Sequence, residues 1–259
     1  MTAHASTLLL LMLASLLAAV VNAMAGGGTF ITFPALTGIA GLAEKAANIT
    51  STVGVWPGYA ASVVAARKEL RALGGHTGLV YAGIGGAGGL VGGLLLLTTS
   101  TTAFAKAVPW LLAFSTALFA AGPKIRLWAS RTSDVAGSRS ETSPQALALV
   151  LVIAVYNGYF GAGGGVLLLA GLAAVMPGDV RRLNVLKVLV QVTANASAIV
   201  VFLSAGVDWG IAATMAVGSV VGGFVGMRLA NRISARGLYW VVVAVGATLT
   251  VAYFFKASG

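Results

Sequence analysis

Six stretches of about twenty apolar residues, separated by short knots of Lys and Arg, constrain this chain more than anything else in it. Ala47–Ala66, Thr77–Leu97, Ala103–Gly122, Val185–Leu203, Trp209–Leu229 and Leu238–Phe255 each have the length, or nearly the length, of a helix that crosses a bilayer. Charged residues are 8% of the 259, against the roughly 25% that a soluble domain uses to cover itself. The apolar runs are too unbroken for the period-two alternation of an outer-membrane barrel. An all-α, polytopic fold embedded in membrane lipid is what remains. With no Cys, disulfides, thiolate metal sites and Cys nucleophiles are excluded.

The formal charge of +10 invites a nucleic-acid reading, but the cations do not form a groove with interleaved aromatics. They cluster between apolar runs, at Arg67-Lys68-Glu69-Leu70-Arg71, from Lys124 to Arg139, at Arg181-Arg182, and at Arg228, Arg232 and Arg236. That is the bias that orients membrane proteins, with the basic loops in the cytoplasm. No nucleic-acid partner is expected.

Two further pairs of apolar runs are shorter and are interrupted by glycine. Ala5–Val21 and Gly27–Leu42 flank Gly26-Gly27-Gly28. Ala146–Tyr159 and Gly163–Met176 flank Gly163-Gly164-Gly165. These pairs open two halves of similar order. Asn22 to Gly28 faces Asn157 to Gly165, Ala47-Asn48-Ile49-Thr50-Ser51 faces Leu183-Asn184-Val185-Leu186-Lys187, and Gly89–Gly93 faces Ser219–Gly223. The polar stretch Ala129–Ser143 divides them, so the expected organisation is a first repeat over 1–128, a cytoplasmic linker over 129–143 and a second repeat over 144–259. With every basic cluster placed inside, each half is a hairpin plus three spans, and the halves are inverted. Twelve basic residues then lie inside, three (Lys45, Lys106, Lys256) outside, and Lys187 within a span. Both termini are expected outside the cytoplasm, in the inner (plasma) membrane of a bacterium. Inverted halves with broken helices meeting near the midplane are the architecture of secondary transporters.

The stretch Asn22…Gly26-Gly27-Gly28-Thr29-Phe30-Ile31-Thr32-Phe33-Pro34, its partner Tyr156–Gly165 and the two-half layout with a central basic loop resemble the TauE/SafE family of sulfite- and organosulfonate-linked anion permeases. In the second half Gly171 stands where Pro34 would align. The resemblance covers the whole chain and implies export or facilitated movement of a small sulfur-containing anion such as sulfite or sulfoacetate. Another small anion, or a neutral organic solute, is the alternative on the same architecture.

The residues that suit such a substrate are of three kinds. Gly26, Gly27 and Gly28, with Gly163, Gly164 and Gly165, let backbone approach a ligand, and half-helix N-termini there would present N–H groups to an oxyanion. Lys187 is a charge inside a span, which by default has a function. Asn184, Lys187, Gln191 and Asn195 fall on one helix face, and Asn48, Ser51 and Thr52 are their counterparts in the first half. Asn157, like Asn22, precedes its glycine triplet. Each has a structural alternative: tight packing for the glycines, snorkelling for Lys187, interhelical hydrogen bonding for the amides.

No carboxylate lies deep in a span, so a buried proton relay has no carrier, and a passive or exchange mechanism is expected. No cofactor, metal site or catalytic set is found. Gly83-Ile84-Gly85-Gly86-Ala87-Gly88 fits a dinucleotide fingerprint, but it sits inside an apolar run without a preceding strand and reads as helix packing. Ala23-Met24-Ala25 mimics a signal-peptidase site, but no basic residue precedes it, and the segment is expected to be retained. The glycine-rich faces suit packing within one chain or between two copies, so a homo-oligomer is compatible.

Overall fold

The computed structural model describes residues 2–24, 26–133, 142–176, 180–230 and 236–258, and nearly all of them are helical. Most of the linker, with Asp179, Arg232, Met1 and Gly259, lies outside the described residues. The first half comprises α1 (Thr2–Met24), α2 (Thr29–Gly38), α3 (Glu44–Ala65), the short α4 (Arg67–Ala72), α5 (Gly75–Thr98) and α6 (Thr101–Ser133). The second comprises α7 (Pro144–Tyr159), α8 (Gly164–Val175), α9 (Val180–Phe202), α10 (Trp209–Leu229) and α11 (Arg236–Ser258).

Polarity is turned inside out relative to a water-soluble bundle. Leu79, Trp110, Val152 and Val217 are among the most exposed side chains, whereas Asn22, Asn48, Asn184, Lys187, Gln191 and Asn195 are buried. The outer apolar faces suit lipid, and the chain is a multi-pass membrane protein. Among the described residues five helices are long and apolar enough to cross a bilayer: Ala5–Met24, Gly75–Thr98, Thr101–Gly122, Arg181–Phe202 and Trp209–Leu229.

Three boundaries differ from the sequence expectation. The first hairpin arm is a full-length helix, because α1 runs past Val21 to Met24. Asn22 is tolerated there because Gln191 receives its side chain, and the break comes only near Gly26, whose φ is +92°. The helix over Ala47–Ala66 forms, as α3, but it is not among these five long apolar helices, and polar Asn48, Thr50, Ser51 and Ser62 lie buried along it. Residues 129–133, expected as linker, extend α6 instead.

Small residues set the packing and its direction. Gly218, Gly222 and Gly226 of α10 lie against Met12, Leu16 and Val20 of α1 in that order, so α1 and α10 are parallel. Gly54 and Gly58 meet Met215 and Ser219, and Ser62 Oγ donates to Gly223 O at 3.0 Å, so α3 is parallel to α10. On the other side, Gly85, Gly89 and Gly93 of α5 meet Val190, Ala194 and Ala198 of α9, while Gly88 and Gly92 meet Ala154 and Val155 of α7. These three helices are also parallel. In the fingerprint-like stretch Gly85, Gly86 and Gly88 are therefore helix contacts, as read from sequence, whereas Gly83 has nothing within 4 Å. The two groups oppose each other: Trp56 Nε1 donates to Val192 O at 2.9 Å, while Thr50 meets Asp208 and Glu69 meets Arg181, so α3 and α9 run in opposite directions. Helices aligned in sequence (α1 with α7, α3 with α9, α10 with α5) thus point opposite ways.

Candidate substrate site

The glycine turns are where the two groups of helices join. Gly163, the N-cap of α8, is left-handed at φ +72°, and Gly26 takes φ +92°. A β-carbon on Gly165 would stand 2.6 Å from Gly26 Cα and 3.0 Å from Gln191 Nε2. No side chain larger than hydrogen fits at this crossing. Gln191 is midway along α9, so the two turns meet at the level of the helix centre.

Around this contact the polar residues form one network. The Asn22 side chain pairs with Gln191 in both directions, at 3.3 and 3.4 Å. Lys187 is fully buried, and its Nζ donates to Asn22 O at 2.9 Å and to Ala23 O at 3.4 Å. Asn184 Nδ2 donates to Ala23 O at 3.2 Å. These carbonyls belong to the last turn of α1, which has no intrahelical donors left for them and carries the negative end of the helix dipole. The ammonium therefore neutralises a helix end beside the glycine crossing. Snorkelling is not what Lys187 does.

The second half repeats part of this arrangement. Asn48, the counterpart of Asn184, donates from Nδ2 to Tyr159 O at 3.0 Å, at the last turn of α7. Each broken helix is thus tied at its C-terminal end by an asparagine from the opposite half. The counterpart of Lys187 is Ser51, whose hydroxyl pairs with Thr32 at 2.7 Å. The positive charge is present on one side alone.

Other sequence candidates sit nearby with local partners. Asn157 donates to Ile153 O at 3.2 Å and lies directly beneath Gly164. Thr52 and Asn195 bond to carbonyls one turn back in their own helices, at 2.9 and 2.8 Å. Gly27, Gly28 and Gly164 are buried within the two turns. Tyr156 is held by Ser115 and by Ala162 O. Ser115 escaped the sequence reading, although the adjacent hydroxyls Ser115-Thr116 in the middle of an apolar run were the available signal. Asn22 is more central than its position before the triplet suggested.

Two cavities open at opposite ends of α3. One, of about 740 Å³, is lined by Lys68, Glu69, Arg181, Asn184 and Arg228. The other, of about 470 Å³, is lined by Lys45, Ile49, Leu97 and Ser204. Under the alignment of the halves, Arg181 and Val185 in the first correspond to Lys45 and Ile49 in the second. At the more basic mouth Arg181 pairs with Glu69. A backbone hydrogen bond at Glu69, reinforced by the Arg181 guanidinium, holds that carboxyl below its ordinary range.

A model of the sulfite exporter TauE/SafE family matches residues 11–253. The chain belongs to the TauE/SafE family. The match covers both glycine turns, both tying asparagines and Lys187. TauE/SafE proteins are transporters, not enzymes, which agrees with a site made of backbone turns, amides and one ammonium. No curated protein and no solved structure gives a significant match.

Proposed function

We propose that this TauE/SafE protein is a permease of the bacterial inner membrane that moves a small sulfur-containing anion, sulfite or a small sulfonate, outward through two inverted halves. The observation that carries the reading is the crossing of Gly26 and Gly165 beside Gln191 and Lys187, midway along α9. The N-terminal ends of α2 and α8 approach one another there, and two half-helix starts with an adjacent ammonium suit an oxyanion. Gly26 to Gly28, Gly163 to Gly165, Asn157 and the amides of Asn48, Asn184 and Gln191, with Ser51 and Thr52, line the path in this scheme. The opposed directions of sequence-matched helices support the inverted repeat. The bias of basic residues to one end supports a cytoplasmic linker and extracytoplasmic termini.

An inside-negative potential favours anion exit by about 2.3 kcal/mol per charge per 100 mV, so export needs no proton relay. Flux of radiolabelled sulfite and sulfonates from proteoliposomes, at a clamped potential and with competing anions, tests the reading. Expected is protein-dependent flux that follows the potential. Flux no faster than from protein-free liposomes overturns it. The lack of native Cys makes single introduced cysteines at positions 2 and 135 a clean test of orientation, and labelling of both from the same side refutes the inverted topology.

A further inference from the structure

The two tying asparagines share an unusual state. Each donates from Nδ2 to a carbonyl of the opposite half's broken helix, and each leaves its side-chain oxygen without a hydrogen-bond partner. Among the described residues, Asn48 Oδ1 and Asn184 Oδ1 are the buried side-chain oxygens in that condition. Asn184 is 7% exposed and contributes to the wall of the larger cavity. Leaving a buried amide oxygen unpaired is costly, so the structure holds an acceptor in reserve at the wall of the basic cavity, one helical turn from Lys187.

An acceptor takes either a cation or a hydrogen-bond donor. The surroundings decide between them. Lys187 Nζ shares the Ala23 carbonyl with Asn184, and Lys68, Arg181 and Arg228 line the same cavity. Among the described residues that line the cavity the one acid, Glu69, is already paired with Arg181. A metal cation is repelled from such a place, whereas an anion is drawn to it.

Resting on the anion-permease reading, we infer that Asn184 determines specificity: its free amide oxygen selects anions that themselves carry a hydrogen-bond donor. The favoured class is a sulfonate bearing a hydroxyl or amino group, or hydrogen sulfite rather than its dianion. Donor-free anions of the same size and charge enter but leave Asn184 Oδ1 unpaired.

The test compares 2-hydroxyethanesulfonate with 1-propanesulfonate, in which a methyl replaces the hydroxyl, in proteoliposomes of the full-length protein. Wild type should move the hydroxylated anion about two- to tenfold faster at subsaturating concentration, the worth of one net hydrogen bond. Asn184→Ala should bring that ratio close to the ratio for free partitioning. The ratio is taken within one preparation, so a lower yield of folded variant does not affect it. Equal rates in wild type, or a ratio unchanged in Asn184→Ala, overturns the inference. So does flux that requires Na⁺ in wild type and loses that requirement in Asn184→Ala, because the acceptor would then be a cation ligand. If no sulfonate and no sulfite moves at all, the permease reading has failed instead.

Discussion

Replacing Gly165 by Ala tests the central crossing most directly. The added β-carbon would lie 2.6 Å from Gly26 Cα and 3.0 Å from both Gly26 O and Gln191 Nε2. Ordinary contacts of this kind begin at 3.4 Å, so the two turns must separate by roughly 0.8 Å or strain in place. The nearest atom, Gly26 Cα, is backbone, so moving the Gln191 side chain would not relieve the closest contact. Gly165 does not have a positive φ, and its Ala variant therefore reports crowding alone. Overpacking costs about 1–3 kcal/mol, which corresponds to roughly a five- to 150-fold shift in the equilibrium that keeps the turns in register. Gly83→Ala is the matched control, because nothing lies within 4 Å of the position and Ala favours a helix over Gly by about 1 kcal/mol. The assay is the initial rate of ³⁵S-sulfite efflux, normalised to protein that elutes as a single folded species. Gly165→Ala should be at least about fivefold slower and Gly83→Ala within about twofold of wild type. Normal flux from well-folded Gly165→Ala would mean that the glycine crossing is packing and not path.

Two further outcomes follow from neighbouring groups. Lys187→Met keeps an unbranched apolar stem, one atom shorter, and removes the ammonium from Asn22 O and Ala23 O. A charge-assisted hydrogen bond is worth about 1.5–3 kcal/mol, so sulfite efflux should drop at least about tenfold, and undiminished efflux at equal protein would remove Lys187 from the mechanism. Glu69→Gln releases Arg181 at the basic mouth. At neutral pH the half-saturating anion concentration should fall about twofold at low ionic strength and converge with wild type in high salt, where exposed charges are screened. The Glu69 carboxyl is held below its usual range in the folded protein, so the pair stabilises above the unfolded carboxylate value of about 4.3 and is lost as pH falls through the lowered folded value. Wild type should therefore lose its thermal advantage over Glu69→Gln in acid. That advantage is at most about 1 kcal/mol for so exposed a pair, and one that is independent of pH would contradict the assignment.

What the sequence makes legible here is what depends on local pattern. Apolar length identifies the helices, and the same glycine and asparagine order in both halves suggests the proposed repeat. The three-and-four spacing of Asn184, Lys187 and Gln191 places them on one face, and all three are buried on it. Partners are not legible in the same way. Asn22 and Gln191 are 169 residues apart, and nothing in either segment says that an amide on α1 will close on an amide on α9. The end of α1 is misjudged for the same reason: Asn22 looks like a stop signal until its distant partner is known. Lys187 was readable as a costly charge, but its use on the last carbonyls of α1 depends on which helix end the fold brings to it.

The departures from symmetry carry more chemical information than the repeat itself. Asn48 and Asn184 do the same work in opposite halves, each tying the other half's broken helix, so the scaffold alone would be neutral and balanced about its centre. The balance is broken where Ser51 faces Lys187: one half closes its position with a hydroxyl pair to Thr32, while the other sets an ammonium on the α1 C-terminus. On the proposed anion-permease reading, a lysine on both sides would hold the anion too firmly to release it, and a serine on both sides would leave the negative end of α1 facing the proposed path. In the proposed permease, one cation, hydrogen-bonded to helix carbonyls, would leave a weak positive field at the crossing. That suits a solute which must arrive and depart. Ser51→Lys, which restores the charge symmetry, should accordingly tighten sulfite binding while slowing its efflux, and faster efflux from that variant would show that charge, not its balance, limits transport.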